Sequence, residues 1–278
     1  MGNSMLHVFR NTPLGRENLM QSAYFCKKTD DLRLEVYIPQ RPQFTLDLGG
    51  DLFAVQLDTS YTRFPKTAET HVAEVMKSAP CSFGFVGPHK HDVGTMPHLP
   101  GEWAVMACPR VVSEQSSRIG LGHLGPKVRG LVKSATFPVF IPALAYKEWN
   151  SVTAFFGGSD LGALAVKVAL AFSKKANVPV SLHTQLDGIT RDKCETSLAS
   201  AGILDDVKGK DISWRLYDTG ELAENLYDVP HDSLVVVGAA GYNVITELVF
   251  GSTLEVIQST LPNPLVVVGP RCKTPWEK

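Results

Sequence analysis

Two groups of small residues in the second half of the chain have the type and spacing of a phosphate-binding site. Gly238 and Gly241 follow the apolar run 234–237. Nine residues later, Gly251 and Ser252 stand where a helix is expected to begin. Glycine lets a ligand approach the backbone, a helix N-terminus offers unpaired N–H groups, and a serine hydroxyl can hold a phosphate oxygen. Taken alone, a Gly-x-x-Gly turn is explained equally well as a tight connection between a strand and a helix.

A third group, Gly157, Gly158 and Ser159, follows another apolar run at 152–156. That run does not alternate, which is typical of a strand buried on both faces. The glycines predict a turn, and Ser159 or Asp160 can cap the helix that follows. Because open α/β sheets bind ligands at the carboxyl ends of their strands, this turn belongs to the candidate site.

The apolar pattern predicts the elements that would position these groups. Apolar residues recur at helical spacing between 161 and 172, and β-branched runs ended by glycine are typical of buried parallel strands. Strands and helices alternate from residue 151 onward, which predicts a doubly wound α/β fold with a parallel sheet. The predicted strands are 152–156, 180–183, 212–216, 234–237 and 265–268, and the predicted helices are 161–176, 192–207, 222–227 and 253–260.

The first half of the chain matches the second at two constant offsets. Near the start the offset is 147, and the matched residues are Leu14-Gly15, Phe25 and Lys27-Lys28. Near the end of the first half the offset is 126, and the matched residues are Gly125, Leu131 and Pro138. This order indicates a duplication with about 21 additional residues in the first copy. We expect two tandem Rossmann-like domains with five-stranded sheets, 1–145 and 150–278, the first with a longer, irregular middle at 40–105.

The overall composition excludes several classes of partner. The formal net charge is −1, so neither nucleic acid nor an anionic membrane is an expected partner. No apolar run approaches the roughly 20 residues that span a bilayer, and the N-terminus lacks the pattern of a secretory signal. The five cysteines are scattered, without the spacing of a zinc or redox pair, and are expected to be reduced and mostly buried. We therefore expect a cytoplasmic protein.

The segment 237–268 resembles the carboxyl-terminal signature of universal stress proteins. In the ATP-binding members of that family, Gly-x-x-Gly is followed after nine residues by Gly and then by Ser or Thr, and every fixed position is met in this chain. The resemblance covers 151–270 well and the first half in outline, as in tandem members. It implies binding of ATP or AMP, with or without Mg²⁺, and the implied binding residues are Gly157, Gly158, Ser159, Gly238, Gly241, Gly251, Ser252 and Thr253.

The same resemblance implies a regulatory protein of the stress response. Similar proteins bind ATP or AMP, hydrolyse ATP slowly at most, and associate as dimers through their last strand. In this chain the strand 265–268 is expected to pair with 139–141 as an intrachain pseudo-dimer, or with another chain as a homodimer. No catalytic residue is predicted. A protein partner, which the sequence does not identify, would sense changes caused by the ligand.

One departure from the family pattern supports an alternative function. The nucleotide-binding members usually have an Asp just after the first strand, near the adenine and ribose. Here Gly157-Gly158-Ser159 occupies that turn, and the nearest acid is Asp160. The alternative is a universal stress protein that binds no nucleotide and acts as an interaction or scaffold module. An enzyme of the related nucleotide hydrolases would be supported by a lysine or an acid near Gly157, and none is evident.

The corresponding site of the first copy is predicted to be lost. At the offset of 126, Val112 and Gln115 stand in place of the two glycines of the Gly-x-x-Gly turn. Gly125 is retained, but Pro126 replaces the serine. Proline has neither a hydroxyl nor a backbone N–H group, so it cannot hold a phosphate oxygen.

Two further groups in the first copy are candidate sites. His89, His91, Asp92 and His98 could ligate a metal such as zinc, but a polar surface loop explains them better because no fourth ligand has a fixed spacing. No metal site is therefore predicted. Cys108 ends a predicted strand and could be a reactive thiol, although a buried structural cysteine is the expected role.

Overall fold

The structure, a computed structural model, describes residues 2–29, 32–48, 51–79, 81–88, 96–110, 124–209, 212–239 and 252–276. Strands and helices are numbered here in chain order. The strands are β1 (Ser4–Val8), β2 (Arg33–Tyr37), β3 (Gln43–Asp47), β4 (Leu52–Gln56), β5 (Phe83–Phe85), β6 (His98–Leu99), β7 (Val105–Ala107), β8 (Val139–Ile141), β9 (Ser151–Phe155), β10 (Val180–Gln185), β11 (Ile212–Tyr217), β12 (Ser233–Gly238) and β13 (Leu265–Val268). The helices are α1 (Pro13–Lys28), α2 (Pro65–Ser78), α3 (Pro126–Ser134), α4 (Asp160–Ala176), α5 (Arg191–Ser200), α6 (Leu204–Lys208), α7 (Leu222–Asn225) and α8 (Ser252–Thr260), with 3-10 helices at Thr59–Thr62 and Leu226–Asp228.

Ten of the strands form one continuous sheet in the order β11-β10-β9-β12-β13-β8-β7-β1-β2-β5. Each half contributes five parallel strands to this sheet. If these strands are numbered along the chain within each half, their order from the outer edge to the middle of the sheet is third, second, first, fourth and fifth. The chain therefore has the predicted α/β fold, with two doubly wound, Rossmann-like halves. The last strands of the halves, β8 and β13, pair antiparallel with Phe140 opposite Val266. This confirms the predicted intrachain pseudo-dimer.

Matching hydrogen bonds support the duplication. The N–H groups of Met106 and Val235 donate to the carbonyls of Pro138 and Pro264, respectively. Thr12 and Ser159 cap α1 and α4 in the same way, each accepting at 3.1 Å from the backbone N–H three residues further on. Because this cap satisfies an N–H group that has no partner within the helix, both helices begin at the same point in the repeat.

The middle of the first half is not irregular, and that prediction was wrong. Strands β3 and β4 form an antiparallel hairpin, which β6 extends to a separate three-stranded sheet. Alternate residues of β3, Phe44 and Leu46, are fully buried. In α2, Ala68, Val72 and Met76 are buried at a spacing of four residues, which is typical of a helix that packs on a core. Both elements therefore follow ordinary apolar periodicities.

The two halves share their cores instead of meeting as separate bodies. Phe25 of α1 and Phe172 of α4 occupy equivalent positions, and their ring centroids lie 5.2 Å apart. Phe140 of β8 and Trp149 lie 4.8 and 5.8 Å from Phe25, and Trp276 lies 5.4 Å from Phe172. Aromatic residues from both halves and from the connection between them therefore form one cluster.

The second half follows the predicted order with one split helix. The expected helix 192–207 is interrupted at Gly202, whose φ of +73° ends α5, and α6 follows. A left-handed residue of this kind is usually glycine, because it has no Cβ atom to clash. No helix within the described ranges is long and apolar enough to cross a membrane.

Candidate functional site

The turn between β9 and α4 contains the first three residues of the predicted site. Gly158 has a φ of +77°, and a Cβ atom there would clash with Ile189. Glycine is therefore required at 158 by the backbone. At Gly157, in contrast, an added Cβ atom would have no described atom within 4 Å. The backbone at Gly157 thus borders open space, which a ligand could fill.

Ser159 has a structural function in this turn. Its Oγ accepts a hydrogen bond from the N–H of Gly162 at 3.1 Å, which caps α4. The hydroxyl proton is not used by this bond and can still be donated to another acceptor. Ser159 therefore fits both a cap and a ligand contact.

Gly238 ends β12 and is explained by packing. A Cβ atom there would lie 3.2 Å from Cγ and 3.3 Å from the carbonyl oxygen of Leu161 in the first turn of α4. The glycine thus allows the helix to approach the strand. This contact also brings the end of β12 against the beginning of α4, so Gly238 lies close to the turn that contains Gly157, Gly158 and Ser159.

The connections between strands run in opposite directions along the sheet on the two sides of this point. The ends of β9 and β12 are neighbours, with Phe155 opposite Val237, whereas the chain leaves β9 toward β10 and leaves β12 toward β13. Such a reversal opens a crevice at the carboxyl ends of the strands, which is where open α/β sheets bind ligands.

Two of the remaining predicted residues lie in the helix that follows β12. Ser252 and the half-buried Thr253 begin α8, so they stand at a helix N-terminus. Gly241 and Gly251 lie outside the described residues. A helix N-terminus offers unpaired N–H groups and a partial positive charge, which suit an anion such as a phosphate.

Sequence reasoning missed a buried polar group beside this crevice. His183 of β10 lies opposite Phe155 in the register, and its Nδ1 lies 3.0 Å from the hydroxyl of Tyr217. That hydroxyl also donates to Oδ2 of Asp228 at 3.1 Å, and Arg215 pairs with the same carboxylate at 3.2 Å. Burial, and secondarily the charge of Arg215, lower the pKa of His183 to about 4. A histidine at the carboxyl end of a predicted strand was the one signal available in the sequence.

Further hydrogen bonds connect the end of β10 with the segment that follows β11. Asn225 of α7 donates to Oε1 of Gln185 at 2.7 Å, and Gln185 donates to the carbonyl of Gly220. The ends of β10 and β11 are thereby tied to the segment that follows β11. Because burial lowers its pKa to about 4, His183 is neutral at neutral pH and is not suited to carry a charge there.

The structure describes only some of the other candidate residues. His89, His91 and Asp92 lie outside the described residues. Nδ1 of His98, in β6, lies 3.2 Å from Oγ1 of Thr45. Across the described ranges, no three side chains of His, Cys, Asp or Glu are grouped to hold a metal ion. Cys108 is buried, as expected, and burial raises its pKa to about 12, so the group is a thiol at neutral pH.

The first half differs from the sequence alignment at the equivalent strand end. Since Met106 corresponds to Val235 in the register, Pro109 and not Val112 stands at the position of Gly238. The offset of 126 is therefore wrong at this strand, although it holds for α3 and β8. Val112 and Gln115 lie outside the described residues, while Pro126 occupies the first turn of α3 as expected.

Comparison with known proteins supports this architecture. No protein-family model and no curated protein matches the sequence. Among solved structures, a universal stress protein from Archaeoglobus fulgidus is 15% identical, with a TM-score of 0.63 over 97% of this chain and 98% of that one. The chain has the fold of a universal stress protein. A functionally unknown protein from Pseudomonas aeruginosa has the same fold, with 14% identity and a TM-score of 0.52 over 97% of this chain and 93% of that one.

The universal stress protein fold is also found in a different setting. The cytoplasmic domain of a prokaryotic cation chloride cotransporter is 8% identical to this chain, with a TM-score of 0.50 over 96% of this chain and 94% of that one. Likeness at these identities concerns the fold. A function has to be argued from the site.

Proposed function

We propose that this chain is a tandem universal stress protein that binds an adenine nucleotide, ATP or AMP, in its second half and regulates a partner in the stress response. The crevice where β9 and β12 end carries the proposal, because the backbone at Gly157 borders open space there. The whole-length likeness to a universal stress protein supports the family assignment. The two domains are 1–145 and 150–278, and the location is the cytoplasm.

The residues of the crevice fit different parts of a nucleotide. The N-terminus of α8, with Ser252 and Thr253, suits the phosphates, and Gly241 and Gly251 precede that terminus in the sequence. Gly157 leaves room for the sugar or base beside the backbone. The hydroxyl of Ser159 retains a proton that a nucleotide oxygen can accept. If Mg²⁺ accompanies the phosphates, Asp160 is the nearest acid in the turn.

This site binds and does not provide fast catalysis. The segment 157–161 contains no lysine, arginine or histidine, and Asp160 is its one acid. Hydrolysis would therefore be slow, and the useful consequence of binding is a change at the surface around α8. Because β8 and β13 already pair within one chain, association into a homodimer would require another surface.

A second function is favoured by two specific observations. Gly238 is accounted for by its contact with Leu161, and Ser159 by the cap of α4. Two residues of the candidate site therefore have complete structural explanations. In the alternative, the chain is an interaction or scaffold module without a nucleotide.

The first test identifies what the purified protein carries. The protein is denatured, and any released nucleotide is identified by chromatography and mass spectrometry. We expect ATP, ADP or AMP near one equivalent per chain. An empty preparation whose melting temperature also does not change with ATP and Mg²⁺ would overturn the proposal in favour of the interaction module.

A pair of matched variants then locates the site. Gly157→Leu fills the open space beside the turn and should lower nucleotide affinity at least tenfold, with little change in melting temperature. Gly87→Leu is the control, since an added Cβ atom there also has no described atom within 4 Å, but in the other half. Gly241→Val should abolish binding as well. Unchanged affinity in both site variants would contradict the assignment.

A further inference from the structure

The first half contains a cavity of about 350 Å³ where its own winding reverses. The cavity lies at the carboxyl ends of β1 and β7, where Val8 and Met106 line it. It thus occupies the place in the first half that the candidate nucleotide crevice occupies in the second. An engineered apolar cavity of about 150 Å³ can hold benzene, with six carbon atoms, so by proportion this volume has room for a molecule of about ten to fourteen carbon atoms.

The inserted sheet supplies one wall of this cavity. Phe44 of β3 and Phe53 and Val55 of β4 line it, and Tyr61 of the following 3-10 helix closes one end. The second half has no such wall, because β10 and α5 are joined by residues 186–190 alone. The inserted sheet therefore encloses a space in the first half that has no corresponding wall in the second half.

Because Gly130 on α3 has no side chain, this part of the cavity is not filled by the helix. An added Cβ atom at Gly130 would meet only the ring of Phe53, at 3.5 Å, among the described atoms. The equivalent residue of the second half is Val256 on α8. Gly130 lies inside a helix, where glycine is unfavourable, so its presence is better explained by the space that it leaves than by the helix.

The lining indicates the chemistry of the occupant. Lys127 is the single charged residue among the described residues that line the cavity, and it is exposed in the first turn of α3. Its Nζ donates to the carbonyl of Gln56 at 3.0 Å, which holds the ammonium group at the mouth. The deeper walls are apolar, and Cys108 among them is a buried thiol. An apolar body with one anionic end matches this arrangement.

We propose that the first half binds a medium-chain carboxylate, with its apolar chain in the cavity and its carboxylate beside Lys127. Such a ligand buries apolar surface while its charge stays at the solvent-exposed mouth. This site is separate from the proposed nucleotide crevice, so it can be occupied whether or not a nucleotide is bound. The duplicated fold then carries two different ligand sites on equivalent strand ends.

The test measures decanoate binding to the full chain by isothermal titration calorimetry. We expect saturable binding of one decanoate. Gly130→Leu should weaken it at least tenfold, because the new side chain occupies the cavity. Lys133→Leu, on an exposed position of the same helix, should bind decanoate like the natural protein. Absence of saturable binding, or equal binding by Gly130→Leu, would overturn the proposal.

Two further variants keep the test decisive. If Gly130→Leu does not fold, Gly130→Val introduces the residue that the second half tolerates and should also weaken binding. Lys127→Met should weaken decanoate binding three- to tenfold, whereas Lys127→Arg should retain it. Decanol has the same chain without a charge, so equal affinity for decanol and decanoate would overturn the position of the anionic end.

Discussion

The two halves of the molecule keep the same frame but differ where their first and fourth strands end. In the second half this place has Gly157 and Gly238, and the backbone at Gly157 is open. In the first half Pro109 stands at the position of Gly238, and an inserted sheet encloses an apolar cavity. The comparison teaches that the two halves share the contacts that hold them together, while their strand-end crevices differ.

The retained contacts explain why the halves cannot be separated easily. The equivalent residues Phe25 and Phe172 are fully buried against each other, and β8 pairs with β13 across the middle of the sheet. Gly269, just after β13, would clash with the carbonyl of Val132 in α3 if it had a Cβ atom. The halves should therefore unfold together and not as independent domains.

The largest expected effect comes from breaking the contact between the equivalent phenylalanines. Phe25→Ala and Phe172→Ala should each lower the free energy of unfolding by about 3–5 kcal/mol, because each leaves a cavity in the shared core. The double variant should lose less than the sum, since the two rings share one contact. Urea unfolding followed by tryptophan fluorescence and by circular dichroism measures both quantities. Two separated transitions in the natural protein, or strictly additive losses, would show that the halves are independent.

Much of the frame could be predicted because apolar periodicity determines it. The final strand was predicted with its observed bounds, 265–268, and its pairing with 139–141 was one of the two alternatives that the resemblance to universal stress proteins implied. The inserted sheet was missed although Phe44 and Leu46 alternate with polar residues as strands require. Prolines and glycines around it suggested irregular structure, and the pairing partner, β6, lies far along the chain.

Less of the candidate site than of the fold could be predicted from the sequence. Gly157 and Gly158 are adjacent and identical in type, yet only Gly158 needs a left-handed φ. The contact of Gly238 with Leu161 depends on the distance between a strand and a helix, which no local pattern encodes. The polar group around His183 joins residues from three separate segments, so its members could not be associated before the chain was folded.

The next largest effect is a dependence of stability on pH that each half should contribute separately. Burial lowers the pKa of His7 in the first half to about 3, and the pKa of His183 in the second to about 4. Both values lie below the roughly 6.5 of an unfolded histidine, so the unfolded chain binds protons more readily. This part of the stability is present above about pH 6.5 and is lost as the pH falls toward 4. At pH 5 each histidine should lower the free energy of unfolding by about 2 kcal/mol relative to its value at pH 7.

Glutamine variants separate the two contributions. His7→Gln and His183→Gln cannot titrate, so each should remove about half of the loss between pH 7 and pH 5, as measured by urea unfolding at each pH. The hydroxyl of Ser22 beside Nδ1 of His7 at 2.9 Å, and that of Tyr217 beside His183, can still bond to the amide. A pH dependence that persists unchanged in the double variant would assign it to other groups.

The smallest effect compares the two helix caps and sharpens the difference between the crevices. Thr12→Ala and Ser159→Ala each remove a bond of 3.1 Å to a backbone N–H, so each should lower the free energy of unfolding by about 1 kcal/mol. The proposed nucleotide contact exists only in the second half. Ser159→Ala should therefore also weaken ATP binding severalfold, whereas Thr12→Ala should leave it unchanged. Calorimetric titration with ATP, run beside urea unfolding, gives both numbers for each variant. Equal stability losses with equal affinities would mean that Ser159 is a cap alone and that the nucleotide, if bound, contacts the backbone at Gly157 without it.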